Sequence, residues 1–363
     1  MSTTRISTAT RYAQLVADMK INQWNYNKLT AQLGSGKKIT TITDDPINAV
    51  NVLNANKQMG RIDTYTENVG MATTELSALD DFMELARGYL SKAWDKAVQA
   101  NNQTYGESSL KALKTEIDEI TKTMVDLGNS EYNDNYIFGG ANTKLIPFEI
   151  QENGDIIYRG TPKDNPDYVR KTEVADGVFE TINTTGDRVF GYYKAAVEAG
   201  NGVYTDASGK RVIASEEGGT TVYKYENGQA YTGDVADLTD GAAEEAEGVM
   251  GALKKLSNSI QKVLDGDAKN GYEEMNATLD MFNDAHNTIL NEQTKFGGVY
   301  NRMEMTEGTL QTTSDNLTEL LTNINSIDYP EVITQWMNAQ YAYQASMQVA
   351  ASTMNLSLLN YLR

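Results

Sequence analysis

The apolar residues of this chain recur at alternating steps of four and three, and they do so in five separate segments. The first is Tyr12, Leu15, Met19, Asn22, Tyr26, Leu29 and Leu33. The second runs from Ile62, Tyr65 and Val69 through Leu76, Leu79 and Met83 to Leu90, Ala93 and Ala97. The third is Leu110, Leu113, Ile117, Ile120, Met124 and Leu127. The fourth begins Met275, Leu279, Phe282, His286, Ile289, Gln293, Phe296, Tyr300, Met303 and continues to Ile324. The fifth is Ile333, Met337, Gln340, Gln344, Met347, Ala351, Met354, Leu358 and Tyr361. A repeat of 3.5 residues held this long keeps one seam facing a partner helix, which is the coiled-coil requirement.

The ends of these helices are legible too. Asp45 before Pro46 reads as a helix start, with the carboxylate capping free N–H groups and proline in the first helical position. Asp44, Asp45 and Pro46 together form the expected helix-start turn. Gly34 and Gly36 break the first helix, Asn101 and Asn102 separate the second from the third, and Gly128 closes the third.

From about residue 141 to 241 the pattern changes. Turn pairs at Asn153-Gly154, Asp176-Gly177, Ser208-Gly209 and Asn227-Gly228 separate short alternating runs such as Thr221-Val222-Tyr223-Lys224-Tyr225, which are hairpin signals. This stretch carries 10 basic and 17 acidic residues, which suits an exposed outer surface. The expected fold is therefore mainly α, an antiparallel coiled-coil bundle of N- and C-terminal segments with an inserted β domain, drawn out as a rod. Its expected parts are a terminal helical domain (1–45 and 328–363), a coiled-coil bundle (46–144 and 244–327) and a β-rich insertion (145–243).

The two terminal helices differ from the rest. Asn22 sits in the first seam, and Gln340 and Gln344 sit in the fifth; a buried amide sets register at a cost in stability. The last helix carries a second apolar edge of Tyr329, Val332, Trp336, Ala339, Tyr343 and Ala350. A helix with two apolar stripes needs two neighbours. Residues 1–40 hold six basic residues against Asp18, and residues 332–362 hold no charge, inside a chain of formal net charge −19. The expectation is that about 1–40 and 328–363 order fully only on packing against neighbouring subunits; a self-contained terminal hairpin is the alternative. The expected assembly residues are Tyr12, Leu15, Met19, Tyr26, Leu29 and Leu33 of the first helix. Those of the last are Ile333, Trp336, Met337, Tyr343, Met347, Met354 and Leu358.

The remaining composition removes whole classes of chemistry. With 50 acidic against 31 basic residues the surface repels phosphate, so nucleic acid and anionic lipid are poor partners. Cysteine is absent, so disulfide, zinc–thiolate and thiol nucleophile are all excluded. The single histidine, His286, cannot supply a two-histidine zinc motif and reads as a packed seam residue. Gly34-Ser35-Gly36-Lys37-Lys38 lacks the glycine and hydroxyl residue of a phosphate loop and reads as a hinge. Asp265, Asp267 and Gly271 miss the calcium-loop spacing, with Lys269 at a ligand position, and read as a turn between helices. Asp80, Asp81 and Glu84 read as a solvated flank. No cofactor or metal is called for, and no enzyme. Residues 1–10 show no apolar signal segment, and no run is apolar enough for a membrane span. Tyrosine is abundant, 21 against 7 Phe and 3 Trp, and suits surfaces that become half-buried on contact.

Several motifs resemble a known family. Arg5-Ile6-Ser7, the turn Leu33-Gly34-Ser35-Gly36-Lys37-Lys38-Ile39 with Asp44-Asp45-Pro46, and the end Tyr343-Gln344-Ala345-Ser346 through Leu356-Ser357-Leu358-Leu359-Asn360-Tyr361-Leu362 are similar to the flagellin superfamily. Asn135-Tyr136-Ile137-Phe138-Gly139-Gly140, Thr143, Pro147-Phe148 and Asp328-Tyr329 resemble its FlgL-type hook-associated branch. The resemblance implies a secreted, extracellular structural subunit of the bacterial flagellum, exported unfolded through a type III apparatus with a chaperone. It would form a ring of its own copies between a neighbouring hook-associated protein and flagellin. A filament flagellin, or a binding role for the insertion, stays open as the alternative.

Overall fold

Each of the five heptad segments is a helix, and two further helices, one of them a single turn, lie between the third and fourth. The structure is a computed structural model that describes residues 8–361 except 198–199, 218–219 and 227–228; side chains of 8–9, 11–12, 216–217, 220 and 353–361 are also outside the description. The helices are α1 (Thr8–Ser35), α2 (Pro46–Ala100), α3 (Glu107–Gly128), a short α4 (Gly186–Val189), α5 (Gly248–Leu264), α6 (Ala268–Asn325) and α7 (Tyr329–Tyr361). The chain divides into two compact units, Met1–Tyr65 with Gly308–Arg363, and Thr66–Glu307.

In the unit Thr66–Glu307, α2 and α6 run antiparallel. Thr73 lies against Met303 (Oγ1 to Sδ 3.8 Å), Gln293 donates to Asp80 at 3.0 Å, and Asn101 meets Asn276. The second segment is buried where the heptads place it: Val69, Ala72, Leu76, Leu79, Met83, Ala86, Leu90, Ala93 and Ala97 are all 2% exposed or less. The fourth segment needs a correction. Met275, Phe282, Ile289, Phe296 and Met303 are buried as expected, but the alternate positions are Thr278, Ala285, Glu292 and Val299. Leu279, His286, Gln293 and Tyr300, one residue further on, are half-buried. The cause is that α6 has more than one neighbour: beside α2 it also receives Thr184, which donates to Glu292 at 3.1 Å. His286 is thus a flank residue, not a core one.

Helix α5 was not among the five segments. It is short, and its buried surface includes Ser257, Ser259 and Gly251 beside Val249, Met250, Leu253, Leu256 and Ile260, so no clean heptad shows. It packs on α3, where Ser257 donates to Asp118 at 2.6 Å. Asp265 and Asp267 flank Gly266 (φ +102°) in the tight turn between α5 and α6.

The β-rich part of this unit starts with a hairpin, β1 (Glu131–Tyr132) and β2 (Asn135–Tyr136), turning through Asn133 and Asp134 at φ +49° and +58°. The other strands are β3 (Phe148–Ile150), β4 (Ile156–Tyr158), β5 (Lys171–Ala175), β6 (Val178–Thr181), β7 (Tyr192–Lys194), β8 (Val203–Thr205), β9 (Arg211–Glu217), β10 (Thr220–Tyr225), β11 (Thr239–Asp240) and β12 (Glu245–Glu247). They form two antiparallel four-stranded sheets, β12-β7-β4-β3 and β10-β9-β8-β11, and a separate hairpin β5-β6. Gly154, Gly177 and Gly209 take positive φ at three of the expected turns, while Asn227-Gly228 lies outside the described residues. Arg211, 6% exposed, links the two sheets: Nε donates to Glu245 at 2.9 Å and its guanidinium donates to the Ala195 and Ala243 carbonyls. Phe138, Phe148 and Phe190 pack edge to face beneath. The closing Gly128 is needed for space: a Cβ there would lie 2.5 Å from the Phe148 ring. The β5-β6 hairpin and its flanks grip α2 and α6 by an Asn68 bond to the Glu173 carbonyl (2.9 Å), an Arg170–Glu75 pair and a two-pronged Arg302–Glu180 pair at 2.8 and 2.7 Å.

Candidate assembly interface

Helices α1 and α7 of the unit Met1–Tyr65 with Gly308–Arg363 lie antiparallel and pack closely on each other, yet their side chains are only partly enclosed. On α1, Leu15, Met19, Asn22, Tyr26, Leu29 and Leu33 are all half-buried, as the first seam anticipates. Tyr26 sits between Trp336, 5.8 Å away, and Tyr343, stacked at 6.0 Å with an 11° interplanar angle. The Trp336 indole N–H donates to Thr30 Oγ1 at 2.9 Å, so its polar tip is satisfied while its ring packs. Two helices alone cannot enclose a side chain from all directions; of the described α7 apolar residues only Val332 counts as buried, at 9% exposure.

On α7 the two stripes exchange places relative to expectation. The stripe that turns toward α1 is Val332, Trp336, Ala339, Tyr343 and Ala350, the set anticipated as the secondary edge apart from Tyr329, which is 51% exposed. Among the described residues the heptad seam is largely bare: Ile333 and Met337 are each 44% exposed and Met347 42%, with Gln344 and Ala351 exposed among them and Gln340 half-buried. The stripes lie about a third of a turn apart at roughly 100° per residue. The aromatic residues decide which stripe stays at home, because Trp336 and Tyr343 alone can clasp Tyr26. The side chains of Tyr12, Met354 and Leu358 lie outside the described residues. On α1, Ile21 and Trp24 are exposed on the face away from the seam.

The chain between α1 and α2 is tightly fixed. Helix α1 continues through Gly34 to Ser35, so Gly34 does not break it; the break falls at Gly36, with φ +69°. Glycine is required there on two counts, the left-handed backbone and Tyr329, whose Oη would lie 2.9 Å from an added Cβ. Lys38 N–H donates to the Asn325 carbonyl at 2.6 Å, and Ile39 N–H to the Asn325 side chain at 2.8 Å. Asn325, the last residue of α6, was missed by sequence reasoning, since an amide at a helix end gives no sign of its partner 286 residues away.

Asp44 anchors the turn. Lys28 reaches it at 2.9 Å, and its other oxygen accepts from Thr40 N, Thr40 Oγ1 and Thr41 N. The Lys28 ammonium and these donors hold the Asp44 carboxyl well below the usual range. Asp45 caps α2 as expected: its Oδ1 accepts from Asn48 N–H at 3.1 Å, which lowers its pKa. This rigid turn displays Ile42, Ile47, Val50 and Leu53, between 54% and 77% exposed.

Residues 6–143 match the bacterial flagellin N-terminal helical region, and residues 279–362 match the bacterial flagellin C-terminal helical region, together more than half the chain. The chain belongs to the flagellin superfamily. Among relatives, "Flagellar hook-associated protein 3" of Salmonella typhimurium is 29% identical over 160 residues, which is 44% of this chain and 50% of that one. The protein of the same name from Escherichia coli is 21% identical over 359 residues, 98% of each chain. The fold is similar to that of the flagellar junction protein FlgL from Legionella pneumophila (TM-score 0.52, 16% identity, covering 76% of this chain and 99% of that one). It is also similar to a putative flagellar hook-associated protein from Vibrio parahaemolyticus (TM-score 0.56, 15% identity, covering 78% and 100%). Within the superfamily, the likeness is to the FlgL type. For this flagellin-superfamily chain, α1 with its turn and α7 fall inside the two matched regions, whereas most of the insertion falls between them. No described helix is long and apolar enough to cross a membrane.

Proposed function

We propose that the chain is a structural subunit of the bacterial flagellum that joins hook to filament, and that it works by helix packing, not by catalysis. The observation that carries this is the division of the described part of α7 into one stripe clasped by its own α1 and one heptad stripe left largely bare. A heptad stripe is the shape of surface that receives another helix, and the occupant in this reading is a second copy of the chain, repeated around a ring. The exposed turn of Ile42, Ile47, Val50 and Leu53 gives each copy a different apolar face, and two different faces are what a heterologous, ring-closing contact needs. Neighbours along the axis are another hook-associated protein and flagellin; before export the bare stripe would be covered by a chaperone. Secretion to the cell exterior follows from that role. In this reading residues 1–45 with 328–363 assemble, 46–144 with 244–327 form the supporting bundle, and 145–243 project outward.

The test is complementation of flagellated cells lacking their own copy. The full chain restores filaments at the hook tip, and a chain lacking 330–363 does not. The double variant Ile333→Asp, Met337→Asp keeps the circular dichroism of the monomer yet fails to bind isolated hooks. Assembly by either variant would reject this mechanism, and long filaments grown from the purified chain alone would make it a filament subunit.

A further inference from the structure

We infer that Met337 and Met347 form an oxidation-sensitive site that controls whether the subunit can assemble, an inference that rests on the assembly reading above. The methionines span the full range of exposure, with Met19, Met59 and Met281 half-buried. Met83, Met124, Met250, Met275 and Met303 are fully buried, whereas Met71, Met305, Met337 and Met347 are 65%, 74%, 44% and 42% exposed. Two of these four, Met337 and Met347, stand in the bare heptad stripe of α7, beside Ile333, Gln344 and Ala351. The chain has no cysteine, so methionine thioethers are its softest nucleophiles toward a peroxide.

The chemistry is a two-electron oxygen transfer. The thioether sulfur attacks one oxygen of hydrogen peroxide and an S–O bond forms as the O–O bond breaks. The sulfur is oxidised to the sulfoxide, and the departing hydroxide takes up the proton to leave as water. The product is polar where the stripe must be dry. Val332, Trp336 and Tyr343 hold the α1 clasp on the other stripe, so oxidation leaves the monomer folded while spoiling the face it offers. Burying an unpaired polar group in a helix seam lowers affinity by on the order of ten-fold or more.

The experiment uses the purified full-length chain, dilute hydrogen peroxide and isolated hooks from cells lacking this chain. Peptide mass spectrometry is expected to show sulfoxide at Met337, Met347, Met71 and Met305 before the buried methionines, with unchanged circular dichroism. Binding to hooks, read by co-sedimentation, is expected to fall about ten-fold and to return after treatment with methionine sulfoxide reductase. The variant Met337→Leu, Met347→Leu, still oxidised at Met71 and Met305, is expected to bind hooks equally with and without peroxide, whatever its starting affinity. Equal loss of binding in that variant, or undiminished binding by oxidised wild-type chain, overturns the inference. Undiminished binding by the untreated Ile333→Asp, Met337→Asp variant instead marks failure of the assembly reading itself.

Discussion

The α2–α6 seam and the α1–α7 pair are written in the same heptad code, yet they end in opposite states. In the first, Leu79, Met83, Phe282 and Ile289 are all fully buried, with α3, α5 and the insertion close by in the same unit. In the second, the described apolar side chains are mostly half covered, and most of one α7 stripe is exposed. The difference teaches that periodicity sets which residues form a stripe, whereas the number of available neighbours sets how much of it is dry. Burial stabilises roughly in proportion to apolar area removed from water, so the α2–α6 seam contributes more to stability than the α1–α7 pair, whose uncovered apolar area is what the proposed assembly draws on.

That contrast can be broken at several points. Phe282→Ala removes a fully buried ring and is expected to cost about 3–5 kcal/mol, seen as a lower midpoint in chemical denaturation. A cost near zero would mean the inner seam is not a true core. Trp336→Ala loses a half-buried ring, its packing on Tyr26 and the bond to Thr30. The expected cost is about 2 kcal/mol, confined to amide exchange in α1 and α7; faster exchange in α3 or α5 would dissolve the distinction between the two regions.

Asp44→Asn breaks the Lys28 pair and weakens the bonds from Thr40 and Thr41, at roughly 1–2 kcal/mol for this nearly buried carboxylate. Because folding depresses the Asp44 pKa, its contribution is complete above about pH 4 and is lost as pH falls through the folded-state value. Exchange in residues 37–45 should therefore speed up on acidification below about pH 4, and the Asn variant should lose that dependence. A turn that loosens instead as pH rises would contradict the sign. The smallest effect is expected at Ile333→Ser, within about 0.5 kcal/mol of the parent in monomer stability, while hook binding is lost. A large drop in monomer stability would show that the stripe is not bare.

Much of this molecule is readable without coordinates because helix formation and amphipathic stripes follow from local spacing. The Asp45-Pro46 start, the α2 seam and three of the hairpin glycines are cases in point, each depending on residues a few positions apart. The long-range partners are not readable. Asn325 clamping the turn at Lys38 and Ile39, Glu180 receiving Arg302, and Glu292 receiving Thr184 join residues over a hundred positions apart, and no periodicity records them. Nor does α5 announce itself, since a helix surrounded on many sides buries serine and glycine along with leucine and blurs its own stripe.

By itself the amino-acid order determined that these segments become helices with apolar stripes, that the last carries two of them, and that a β-rich segment interrupts the series. Only the tertiary structure decided which α7 stripe meets α1 and which faces outward. The spacing rules treat Ile333 and Trp336 alike, whereas the choice depends on ring stacking and a hydrogen bond with Tyr26 and Thr30, contacts that come into being only when two distant segments meet.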